Sequence, residues 1–310
     1  MSQVRLEGIV LGGAEPEEGN APAGASPEDI GALREQAASA LEAGLAFIEV
    51  HGEELARLRV RTLLGAEKRE TCAAEIEARQ AANGSFPLLG LARGGAPGLA
   101  AGQLAGLVPE VLGTLEALVA LSDLGLHHHP CIDGAAVFLQ SIQADDGAWG
   151  ADDGPPESRL FATGMLAGLL GRTRVVRPEL LEAAGEYLGS IFNPDKISGR
   201  QWESLTAFGV FFTNVGHDLA DSALQWIGRE LERGYRTRAY DAGLTVRTLL
   251  HCQSLAVPGA SLDPALLLID LLGEQATDGG FAEFSEENDA TRVEPTLDAM
   301  LGTILLSRAL

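Results

Sequence analysis

Two kinds of apolar segment alternate along this chain. In the first, apolar and polar residues alternate at helical spacing, as in 218–231, where Leu219, Leu224, Ile227 and Leu231 fall on one stripe. Segments 67–79, 133–142, 178–191, 218–233 and 263–272 share this texture and predict helices with one face in water. In the second kind, small and apolar residues run nearly all the way round, over 109–121, 157–170, 203–212, 241–250 and 294–306. That pattern marks a helix buried on both sides. A turn joins each outer segment to the inner one that follows. Its clearest copies are Gln143-Ala-Asp-Asp-Gly-Ala-Trp149-Gly150 and Gln275-Ala-Thr-Asp278-Gly-Gly-Phe281, with a weaker one at Gln80-Ala-Ala-Asn83-Gly84-Ser-Phe86. Degenerate copies stand at 191–199 and at Arg233-Gly-Tyr235.

Each inner segment opens on an acid: Glu110, Glu157, Glu203, Asp241 and Glu294. Their average spacing of roughly 46 residues is the length of a two-helix repeat, in which no unit buries its apolar face alone. A threonine follows each acid within a turn or two, at Thr114, Thr163, Thr206, Thr245 and Thr296. Alternating outer and inner helices curl into a double ring, so the predicted fold is all-α, an α/α toroid of five to six helix pairs. Segments 30–50 and 53–64 supply the sixth pair that closes it, although they lack the turn signature. The predicted organisation is a leader or strap over 1–27, rich in Gly, Pro, Ala and Glu, and a single toroid domain over 28–310.

The net charge of −22 over 310 residues argues against a nucleic-acid partner, which needs clustered Lys and Arg. It also argues against adhesion to anionic membranes. The apolar run 99–121 is interrupted by Gln103 and Glu110, so no transmembrane segment is expected. No secretory signal is expected either. The three cysteines, Cys72, Cys131 and Cys252, are an odd number without framework spacing, and point to a reducing cytoplasm. The run His127-His128-His129-Pro130-Cys131-Ile132-Asp133 gathers ligand types, but adjacent histidines do not converge on one ion. It reads as an exposed loop, with no metal site.

The turn Gln-x-x-Asp-Gly-x-Trp-Gly resembles the repeat of squalene cyclases, other class II terpene cyclases and protein prenyltransferase β subunits, over roughly 67–310. The resemblance implies the toroid, and by itself says little about chemistry because one fold hosts many functions. Class II cyclases resemble one another in an Asp-x-Asp-Asp motif whose middle Asp protonates an alkene. The motif is missing here; Asp145-Asp146 belong to a turn and Asp152-Asp153 lie beside it. Prenyltransferase β subunits hold zinc through an Asp-x-Cys and a His at inner-helix starts. Asp241-Ala-Gly243 keeps the Asp without the Cys, and Glu294-Pro295-Thr296 brings no His.

An acid in the first turn of a helix complements the macrodipole. With inner helices parallel, the five starts would also gather at one mouth of the ring. Like charges in a low dielectric raise one another's pKa, so one acid could stay protonated and act as general acid. Aromatics that stabilise a cation are concentrated on the third inner helix, at Trp202 and Phe208, with Phe161 one helix earlier and Tyr240 one later. The sequence therefore points to a nonstandard isoprenoid or meroterpenoid cyclase with an apolar cavity. Its proton donor would be Asp241, Glu203 or Glu157, with Glu294 and Glu110 completing the ring, and Trp202, Phe208, Phe161 and Tyr240 would bind substrate. No cofactor is expected unless the substrate is a diphosphate, which would bring Mg²⁺. The alternatives are a non-catalytic isoprenoid-binding or scaffold protein and a divergent prenyltransferase β-like subunit. The expected partner is a hydrophobic, isoprenoid-like small molecule; the scaffold alternative would hold a lipid or a partner peptide, the prenyltransferase-like one would need an α partner and a metal, and a homodimer is compatible with each.

Overall fold

A computed structural model describes residues 27–90, 106–174, 177–281 and 289–310. The described chain is all-α: α1 (Pro27–His51), α2 (Glu54–Leu63), α3 (Arg69–Glu77), α4 (Pro109–Asp123), α5 (Cys131–Ser141), α6 (Pro156–Gly171), α7 (Pro178–Ile191), α8 (Trp202–Asn214), α9 (Ala220–Arg236), α10 (Ala242–Cys252), α11 (Pro264–Gly273) and α12 (Val293–Ala309). No strand occurs among the described residues. Proline opens α4, α6, α7 and α11 at a position where its missing N–H costs nothing. The predicted leader lies outside the described residues, apart from Pro27 at the start of α1.

Every outer and inner segment expected from the pattern is a helix within a few residues of its expected ends. The all-apolar helices α4, α6, α8, α10 and α12 pack in sequence order, and α12 then packs on α2 and α1. Arg59 of α2 also bonds to Asp123 at the end of α4. The closest of these seams joins α6 to α8. A Cβ at Gly164 would stand 2.6 Å from the Ala207 carbonyl oxygen, and one at Gly168 2.6 Å from that of Val210. The small residues of α6 are what let the two backbones meet.

The three signature turns share one set of bonds. The Gln side chain donates to the Gly carbonyl of its own turn and to a backbone carbonyl of another outer helix. Gln80 reaches Gly84 and Cys131, Gln143 reaches Gly147 and Leu180, and Gln275 reaches Gly279 and Ala40, all at 2.8–3.0 Å. Gly84, Gly147 and Gly279 have φ between 87° and 89°, and each presses on that same outer helix. A Cβ on them would lie 2.1 Å, 2.1 Å and 2.3 Å from the carbonyl oxygens of Gly134, Ala183 and Ala43. Only glycine meets both demands. The aromatic residue's N–H then donates to the inner-helix threonine: Phe86 to Thr114, Trp149 to Thr163 and Phe281 to Thr296, at 3.2, 3.0 and 2.9 Å. The recurrent threonine is thus the inner anchor of the turn.

The degenerate copies are built otherwise. Before α8, Asn193 accepts from Asp195 N–H to start a 3₁₀ turn, Pro194–Lys196, and Gly199 takes φ +72° with nothing near its missing Cβ. Arg233-Gly-Tyr235, expected to be a turn, instead lies inside the last turns of α9. Gly234 is needed there because the Tyr240 ring packs where its Cβ would be, 2.2 Å away. The reversal falls after the helix ends, with Arg238 in the left-handed region at φ +59°.

Candidate functional site

The structure does not treat the five inner-helix acids alike. Glu110 and Glu157 are exposed, and Glu203 and Asp241 half-buried. Asp241 caps its own helix, accepting from Leu244 N–H at 2.7 Å. Glu274, at the end of α11, accepts from Ala242 and Gly243 N–H at 2.7 and 2.9 Å, so two carboxylates satisfy the start of α10. Only Glu294 is buried, at 7% exposure. The expected ring of five converging acids is replaced by a single buried one.

Glu294 belongs to a cluster that runs between inner helices. Arg59, 2% exposed, directs Nη1 at both Glu294 oxygens (2.8 and 2.9 Å) and Nη2 at Asp123 Oδ2 (2.9 Å). One helix away, Arg247 Nε donates to Asp298 Oδ2 at 2.6 Å, and its guanidinium lies over the Trp202 ring. One arginine thus faces two carboxylates in a dry interior. Burial pushes both Glu294 and Asp123 up to about 7, against the pull of Arg59, and Asp298 adds its own repulsion to each. Both carboxyls therefore stand well above the usual carboxylate range while still bonded to Arg59. His251, on α10, is driven down to about 4 by burial and stays neutral.

The predicted aromatic lining is packed. Trp202 Nε1 donates to Leu244 O at 2.9 Å, and Phe161 is buried between helices. Phe208 sits edge-on to Phe192 and stacked with Phe212, in the seam toward α7 rather than toward a cavity. Tyr240 is enclosed, its hydroxyl without a partner and pushed up to about 12 by burial. Ion pairs join α2 to α12 and to α4, and α10 to α12, at buried positions for which the sequence led to an expectation of apolar lining. A void of about 20 Å³ adjoins Glu294, lined by His51, Leu55, Leu89 and Val293; that is room for about one water. A larger open groove of about 730 Å³ lies on the outer layer, between α1 and α11.

No protein-family model and no curated protein matches this chain. Among the described residues, no three His, Cys, Asp or Glu side chains are placed to hold a metal, and no helix is long and apolar enough to cross a membrane. His129 Nδ1 lies 3.1 Å from Cys131 Sγ, and burial pushes that thiol up to about 12, far from a reactive thiolate. Sequence reasoning passed over Arg59, Asp123, Arg247 and Asp298. Their signal was present: Arg247 and Asp298 are isolated charges inside otherwise apolar helices, where an unpaired charge is prohibitive.

Proposed function

We propose that this chain binds an isoprenoid-like apolar molecule without converting it, a non-catalytic relative in architecture of the toroid cyclases. One observation carries this reading: the interior carboxylates are committed to protein cations, Glu294 and Asp123 to Arg59 and Asp298 to Arg247. A proton donor to an alkene needs a free acid facing substrate. The groove between α1 and α11 has the size of a small-molecule site. Its walls mix Ala32, Ala40, Ile269 and Leu272 with Glu35, Gln36, Ser39 and Gln275. Ile269, 51% exposed, presents apolar surface there.

A second reading is favoured by the raised pKa of Glu294 and by the void beside it. In that reading Glu294 is the general acid of a proton-initiated cyclase, and Arg59 stabilises the carboxylate left after transfer. Mass spectrometry of the chain after incubation with squalene, polyprenyl alcohols and polyprenyl diphosphates, with and without Mg²⁺, separates the two. Binding predicts unchanged substrate, retained on the protein and released in Ile269→Glu. A product isomeric with its substrate, lost in Glu294→Gln, replaces the first reading with the second. Neither retention nor product overturns both.

A further inference from the structure

The C-terminal ends of four inner helices meet in a polar cluster that the reading above does not use. Arg172, just past the end of α6, donates from Nε to Asn214 Oδ1 on α8 and from Nη1 to Ser122 Oγ on α4, both at 3.0 Å. Gln253, just past the end of α10, donates from Nε2 to the same Ser122 Oγ at 3.2 Å and lies 3.3 Å from His127 Nε2. In the order in which the inner helices pack, α4 and α10 are three places apart, and this contact joins their ends directly.

One feature of the cluster lacks a structural purpose. Arg172 has only neutral partners, and its Nη2 is enclosed with no acceptor among the described residues. Leaving a charged donor unmet costs more than leaving a neutral one, and such a group calls for a bound water or ion. A cation here does complement the negative ends of the surrounding helices. That accounts for the charge and leaves the N–H unexplained. Burial, with no bonded carboxylate, lowers Arg172 to about 10. The nearest acid, Asp123, is taken by Arg59. Gln253 stands beside Arg172. A non-glycine residue at φ +51°, it is the left-handed cap that ends α10, its N–H on Leu250 O. Its side chain lies over Ser122 while the residue stays solvent-exposed.

We propose that Arg172, Gln253 and Ser122 form a binding site for a small oxyanion, a carboxylate or phosphate group. The anion accepts from Arg172 Nη2 and, in place of His127 Nε2, from the Gln253 amide N–H that faces that ring. Entry is from the exposed Gln253 side and needs that amide to shift outward. The site is independent of the α1–α11 groove and of Glu294.

Calorimetric titration of the full chain with inorganic phosphate, and separately with acetate, at constant ionic strength tests this and tells the two anion classes apart. Wild type is expected to bind at least one of them. Arg172→Gln is expected to weaken binding by about tenfold or more, the worth of a charge-assisted hydrogen bond. Because Arg172→Gln also loosens the helix ends, Gln253→Gly is the decisive variant. It relieves the left-handed strain and should melt at or above the wild-type temperature, yet bind several-fold more weakly. No binding by wild type, or equal binding by wild type and both variants, overturns the site and leaves Nη2 to a water molecule.

Discussion

The turns at 80–86, 143–149 and 275–281 and those at 193–199 and 237–241 join the same kinds of helix by different means. In the first group one residue set does everything: Gln ties two outer helices, Gly lets the chain press against the second, and the aromatic N–H docks on the inner threonine. In the second group those tasks are scattered. Asn193 starts one turn, while Asp241, Glu274 and the Tyr240–Gly234 contact make the other. Thr206, without an aromatic N–H to receive, turns instead to Thr248 at 2.9 Å. The α1–α2 pair has no such turn of its own; it packs on α12, receives the 275–281 turn on α1 and sends Arg59 to Glu294 and Asp123. A repeat can therefore lose its signature and keep its helices, provided other polar groups take over the same backbone bonds.

This contrast can be broken first where the signature is absent. Arg59→Leu leaves Glu294 and Asp123 buried without their cation, and should cost about 3–5 kcal/mol in urea unfolding. A loss under about 1 kcal/mol would mean that the pair α1–α2 is held by its apolar contacts alone. Next comes a direct comparison of two glycines with similar φ. Gly147→Ala adds left-handed strain and a clash with the Ala183 carbonyl, for about 3 kcal/mol in total. Gly199→Ala meets only the strain, about 1 kcal/mol. Equal losses would show that the press of turn on helix contributes nothing. The smallest effect is in pH. The pair Glu294–Asp123 has its folded pKa raised, so its stabilising share is complete below about pH 4 and is lost as pH rises through about 7. His251 has its folded pKa lowered, so its share is present above its ordinary pKa and lost as pH falls toward about 4. Comparing Asp123→Asn with wild type cancels the histidine. The variant should gain on wild type by about 1 kcal/mol per unit between pH 6 and 8. A constant difference across that range would mean that no proton is released there.

Much of the fold was legible because burial writes itself into periodicity. The stripe of Leu224, Ile227 and Leu231 and the unbroken apolar run of α6 told outer from inner helices directly. The turns were legible where backbone geometry demands glycine, as at Gly147, and misleading where glycine answers a packing need inside a helix, as at Gly234. The site was less legible. An acid near a helix start has the same sequence appearance whether it faces water like Glu157, caps its own helix like Asp241 or meets a buried arginine like Glu294. What distinguishes them is a partner 235 residues away, and spacing carries no record of that. The aromatics were hard to place for a related reason: α8 is buried on more than one face, and the sequence does not say that Phe208 meets Phe192 and Phe212.

The last signature turn makes with α1 the same bonds that the earlier turns make with the outer helices they meet: Gln275 on Ala40, and Gly279 against Ala43. These contacts close over some 235 residues of chain, and pairings of that span form slowly. Before they form, α1 has its packing on α2 alone, and apolar surface left open in that interval is the kind that favours aggregation during folding.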